Sequence, residues 1–95
     1  MITIRESAIE RHLVERIHKI GGECLKLRSP GRVGVPDRLV ILPGGEVFWV
    51  ETKATDGALS PQQKRFHNRL NELTQDVKVL WSIQQVDRHF PIEKD

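Results

Sequence analysis

Ninety-five residues, 38% of them apolar, with a formal charge of +2, are enough for one domain built on one core. No apolar run approaches the ~18 residues of a membrane span. The opening MITIRESAIER lacks the apolar core of a signal peptide. The single cysteine, Cys24, excludes an internal disulfide and a cysteine-based zinc site. These features lead us to expect a cytoplasmic protein, not a secreted one, with Cys24 as a small buried hydrophobe on a strand.

The spacing predicts a first helix over roughly residues 4 to 20. Thr3 to Glu6 fits a capping box, Ile9, Leu13, Val14, Ile17 and Ile20 form an apolar stripe, and Gly21-Gly22 stops the helix. CLKLR then reads as a strand, and SPGRVGVPD as a loop. RLVIL, the turn PGGE and VFWVETK read as an antiparallel hairpin. After the loop ATDGAL, a second helix opens with Ser60 as N-cap, Pro61 at the first position and Gln63 closing a box. Phe66, Leu70 and Leu73 are its expected buried face. VKVLWSI is a last strand, and QQVDRHF adds a short helical turn. The order α-β-β-β-α-β, with the last strand returning by a crossover, predicts an α/β domain whose small mixed sheet is flanked by helices.

Side chains alternate along a strand, so Val47, Trp49, Glu51 and Lys53 share one face, and Phe48, Val50 and Thr52 the other. Both faces are apolar in mid-strand, which suits a central strand covered on both sides and places Glu51 and Lys53 at its buried end. A single E-x-K is a common triplet and also fits a fraying strand end with a weak surface ion pair. Asp37, however, opens the preceding strand, and the hairpin returns it beside Glu51. Two carboxylates so placed repel each other unless a cation sits between them, and hard oxygen ligands of this kind suit Mg2+ or Mn2+. Glu6 and Glu10 both fall within the apolar stripe of the first helix. Glu6 has a structural purpose as the capping-box residue and Glu10 has none, so Glu10 is the preferred third carboxylate and Glu6 the alternative. The four histidines, His12, His18, His67 and His89, read as surface or helix-packing residues.

VPD, with ETK beginning fourteen residues after Asp37, resembles the PD-(D/E)XK nuclease signature. The longer stretch KLRSPGRVGVPDRLVILPGGEVFWVETKA, with the downstream LSPQQKRFHNRL, is similar to the stand-alone viral VRR-NUC type. The first helix is spaced like the catalytic-Glu helix of archaeal Holliday junction resolvases, with Glu10 eleven residues before Gly21. The resemblance covers residues 6 to about 83 and implies a restriction-endonuclease-like core with metal-dependent phosphodiesterase activity. By that resemblance Asp37 and Glu51 bind the metal, with the carbonyl of Thr52 as a further ligand. Glu10 holds a metal-bound water or a second ion, and Lys53 orients or deprotonates the attacking water or offsets developing charge. Gln63 resembles a glutamine that positions Lys53 or the water, although closing the capping box explains it equally.

The loop RSPGRVGVPD leads into this site. Arg28, Ser29, Arg32 and Arg38 are expected to contact DNA there, together with Lys64 on the second helix. The stand-alone members resemble homodimers that cleave Holliday junctions or related branched DNA, and a C2 dimer would supply two active sites. The alternatives are a nuclease on duplex or flap DNA without junction preference, a non-catalytic DNA-binding module, or a dimeric scaffold. Trp81 and Phe90 are candidate interface residues, with core packing an equal explanation for Trp81.

Overall fold

The computed structural model describes residues 2–92. Its elements are α1 (Glu6–Ile20), β1 (Glu23–Lys26), β2 (Arg38–Ile41), β3 (Val47–Thr52), α2 (Pro61–Glu72), β4 (Val77–Leu80) and α3 (Ile83–His89). The four strands form one sheet in the order β1-β2-β3-β4. β1, β2 and β3 pair antiparallel, as short connections require, and β4 lies parallel to β3 because α2 carries the chain back along the sheet. The expected α-β-β-β-α-β order is present, with QQVDRH inside α3, Ser82 capping its start and Phe90 as its C-cap.

The core lies on one face of the sheet. Ile9, Leu13 and Ile17 of α1 meet Val40, Val50 and Leu80 of the strands and Val86 and Phe90 at α3, all essentially inaccessible to solvent. Each such side chain is worth roughly 1.5–3 kcal/mol of burial, so this α1–α3 layer is the main stabilising contact. Phe90 stands edge-on to Phe48, with ring centroids 5.5 Å apart. It is a core residue, which removes it from the candidate interface. Trp81 is half-buried, and its Nε1 donates to the carbonyl of Gly57 at 2.9 Å.

α1 ends as its sequence dictates. Gly21 adopts φ +92° and donates to His18 O, while Gly22 donates to Ile17 O, the paired bonds of a Schellman stop. Its start differs from expectation. Arg5 is the N-cap, no side chain caps the helix, and Glu6 is the first helical residue. The cause is tertiary: Ile4 N donates to Thr55 Oγ1 at 3.0 Å and Ile4 O accepts from Thr55 N at 3.1 Å. Those bonds hold the segment extended against the loop after β3, so Thr3 cannot cap. Glu6 is thereby released from a capping duty.

α2 does carry its box. Ser60 Oγ accepts from Gln63 N at 3.1 Å and Gln63 Oε1 accepts from Ser60 N at 2.9 Å. Its buried residues are His67 and Leu70, whereas Phe66 is half-buried and Leu73 is 50% exposed. The helix packs on β4, and its His67 reaches Glu51 of β3. The outer sheet face is consequently covered on one side only. Leu39, Ile41 and Trp49 are half-buried there, and Leu25 and Val47 are 44% and 40% exposed. β3 is central in the sheet but is not enclosed along its length.

Candidate active site

Asp37 sits one residue before β2, where its carbonyl accepts from Leu27 N at 2.8 Å. Arg38 pairs with Val50, and the same antiparallel register extended by one residue sets Asp37 opposite Glu51. Pro36, fully buried, fixes the approach of the chain to that position. Glu51 is 2% exposed. Its carboxyl is pushed up to about 8, first by burial, then by the charge of Asp37 and a hydrogen bond shared with the Asp37 carboxyl. Lys53 pulls in the opposite direction, and Glu6 adds to the upward push.

Lys53 follows the end of β3, where its backbone N–H still donates to Leu80 O at 3.0 Å. Its charge acts on Glu51 and also on His67. His67 is 6% exposed, and its Nε2 lies 3.9 Å from Glu51 Oε1. Neither of these buried atoms has a hydrogen-bond partner. Burial first, and Lys53 second, push the imidazole below the usual histidine range, which favours the neutral ring. The site thus contains a histidine that the sequence expectation assigned to the surface or to packing. The available signal was its position four residues after Gln63 and three before Leu70, on one helical face.

Glu10 is placed differently. Its Oε2 accepts from Lys26 Nζ at 2.7 Å and from Arg38 Nε at 2.9 Å, while Arg38 Nη1 also donates to Cys24 O at 3.3 Å. Burial raises the Glu10 carboxyl, but those hydrogen bonds and charges outweigh it and hold the group below the ordinary carboxylate range. Glu10 and Arg38 therefore neutralise each other between α1 and β2. Glu6, exposed one turn earlier, is the helix carboxylate whose charge is felt at Glu51. Cys24 is half-buried against the core, and burial pushes its thiol up.

Arg28, Ser29 and Arg32 are exposed on the loop leading to Asp37, and Lys64 is exposed on α2. Arg32 lies over the Phe66 ring at 4.8 Å. Gly34, at φ +92°, lets that loop touch α2: a Cβ there would stand 2.4 Å from Gln62 O. Arg32, Val33, Gln62, Arg65 and Phe66 line a hollow of about 340 Å³ at this seam. A larger one of about 520 Å³ lies at the other end of β3, around Lys19, Leu42 and Phe48, away from the carboxylates.

The donor set suits a hard divalent cation. Two crowded carboxylates, one with an unpartnered buried oxygen, are relieved by positive charge between them. Among the described residues no three His, Cys, Asp or Glu side chains form a metal cluster, so a backbone carbonyl and waters would complete the coordination, as Mg2+ tolerates.

A four-stranded mixed sheet with α1 and α3 on one face, and a paired Asp and Glu with a Lys at the end of its hairpin, defines a restriction-endonuclease-like PD-(D/E)XK core. The chain is 52% identical over 80 residues to "Putative nuclease p44" of Acyrthosiphon pisum secondary endosymbiont phage 1, covering 84% of this chain and 86% of that protein. A solved structure described as "VRR_NUC domain" superimposes with a TM-score of 0.82 at 38% identity, covering 87% of this chain and 90% of the other. No protein-family model matches. The chain belongs to the VRR-NUC domain nucleases.

Proposed function

We propose that this nuclease is a divalent-metal-dependent endodeoxyribonuclease, acting as a homodimer on branched DNA such as four-way junctions. The observation that carries the proposal is the convergence of Asp37 and Glu51 on one end of the hairpin, with a buried oxygen of Glu51 unpartnered.

Asp37 and Glu51 hold Mg2+ or Mn2+, with the Thr52 carbonyl as a further oxygen. Such a cation neutralises a phosphate oxygen and acidifies a water. Lys53 stabilises negative charge as it develops on the phosphate and orients the attacking water. Glu6 is the helix carboxylate facing this chemistry, and Glu10 braces Arg38. Gln63 fixes the start of α2, and through it the position of His67. The exposed Arg28, Ser29, Arg32 and Lys64 contact the DNA backbone, and Phe66 props the Arg32 guanidinium. The half-open apolar face around Leu25, Leu39, Ile41, Val47 and Trp49 supports pairing with a second copy, which would bring two sites to one branched substrate.

The test is incubation of the protein with labelled four-way junction, flap and linear duplex in Mg2+, Mn2+ or EDTA. Metal-dependent cutting of the junction in preference to duplex is expected. Cleavage that survives EDTA, or that Asp37→Asn leaves unchanged, contradicts the metal role. Equal cutting of all three substrates contradicts branch selectivity alone.

A further inference from the structure

His67 is nearly inaccessible, yet it is not merely packed. Its Nε2 has no partner, and Glu51 Oε1, the polar atom it faces at 3.9 Å, has none either. Two unsatisfied buried polar atoms aimed at each other are an unstable pairing unless a working state brings them together, since each carries a desolvation penalty of ~1–3 kcal/mol. Among the described residues Glu51 is the acid that lies within 4.0 Å of the ring, at 3.9 Å, while Lys53 acts on it by charge. The helix that carries it is anchored by the Ser60–Gln63 capping box one turn earlier and by buried Leu70 one turn later. The ring is therefore held in place beside the strand end rather than free to swing away.

We propose that His67 is a positioning residue for Glu51: its Nε2–H takes Oε1 of the ionised carboxylate and leaves the other oxygen for the cation. The inference rests on the metal role proposed above for Asp37 and Glu51. A closure of ~1 Å turns 3.9 Å into a normal charge-assisted hydrogen bond. Supporting groups of this kind orient a ligating carboxylate, and their loss weakens metal affinity by about 10–100-fold. Lys53, at the same strand end, acts on both partners by charge, but it does not hydrogen-bond Glu51 Oε1, which is left without a partner.

The experiment measures Mn2+ binding calorimetrically, without DNA, for wild type, His67→Leu and His67→Gln, alongside their thermal unfolding. His67→Leu keeps the volume and removes the donor; it is expected to weaken Mn2+ binding at least tenfold. His67→Gln can return an amide N–H and is expected to recover to within about threefold of wild type. Unchanged Mn2+ affinity in His67→Leu overturns the proposal, and so does equal weakening in both variants, which marks a packing role. Wild-type protein that binds no Mn2+ overturns the metal reading itself, and that outcome is distinct from a failure at His67. If His67→Leu does not fold, the comparison of His67→Gln with His67→Asn decides: the longer amide must bind Mn2+ more tightly, and equal affinities overturn the role.

Discussion

At Glu51 the requirements of folding and of function oppose each other. Burial, and then the charge of Asp37, push the folded carboxyl up to about 8 from its ordinary 4.5, so between those values the folded chain holds a proton that the unfolded chain has released. The unfolded state therefore binds fewer protons there, and the Glu51 contribution to stability falls as pH rises from 4.5 through 8, opposed below about 6.5 by His67, which is held below the usual histidine range. In EDTA, denaturant unfolding of the wild type should lose on the order of 2–4 kcal/mol between about pH 5 and pH 9. Glu51→Gln should flatten that slope, and saturating Mg2+ should reverse the loss in wild type by binding the ionised pair. A wild-type stability that rises between about pH 7 and pH 9 without metal contradicts the burial of Glu51 beside Asp37. The motif residues were legible because a carboxylate at the end of a Val-Phe-Trp-Val strand is chemically out of place. His67 was not, because a histidine on a helix carries no such conflict until the partner strand is known. Glu10 is tied to Lys26 and Arg38, sixteen and twenty-eight positions away, and no local pattern encodes those contacts.

The elements themselves were largely written in local chemistry. The Schellman stop at Gly21 and the Ser60–Gln63 box are short-range devices, and both are present. The buried face of α2 was misjudged because its apolar residues face different environments. Phe66 serves as the prop for Arg32, while Leu73 lies at the open end of the helix. The loop preceding Asp37 is fixed to α2 through Gly34. In Gly34→Ala, a Cβ at positive φ costs ~1–3 kcal/mol of strain, and the contact with Gln62 O must also open. The expected result is a lower melting temperature and weaker DNA binding in a gel-shift series, with Mn2+ affinity retained because Asp37 is also held by Leu27, just past β1. DNA affinity unchanged in that variant contradicts the role assigned to the Arg28–Arg32 loop.

The whole molecule is asymmetric. One sheet face is sealed by α1 and α3, and the other is covered by α2 only toward β4. No described helix is long and apolar enough to cross a membrane. Leu25 and Val47, on the half-covered face, give the proposed dimer its test. Leu25→Glu places a charge in the proposed contact and should convert a dimer to a monomer in sedimentation velocity, with the far-UV spectrum unchanged. Junction cleavage should fall with it, since paired incisions need paired sites. A wild-type protein that sediments as a monomer at all concentrations contradicts the homodimer.

The proposed chemistry requires Asp37 and Glu51 to share one cation, and the most direct measurement is anomalous scattering from crystals soaked in Mn2+. A peak bonded to both carboxylates at about 2.0–2.2 Å, lost in Asp37→Asn, is the predicted result. A map with no peak between residues 37 and 51, or a peak that Asp37→Asn leaves at full height, contradicts it.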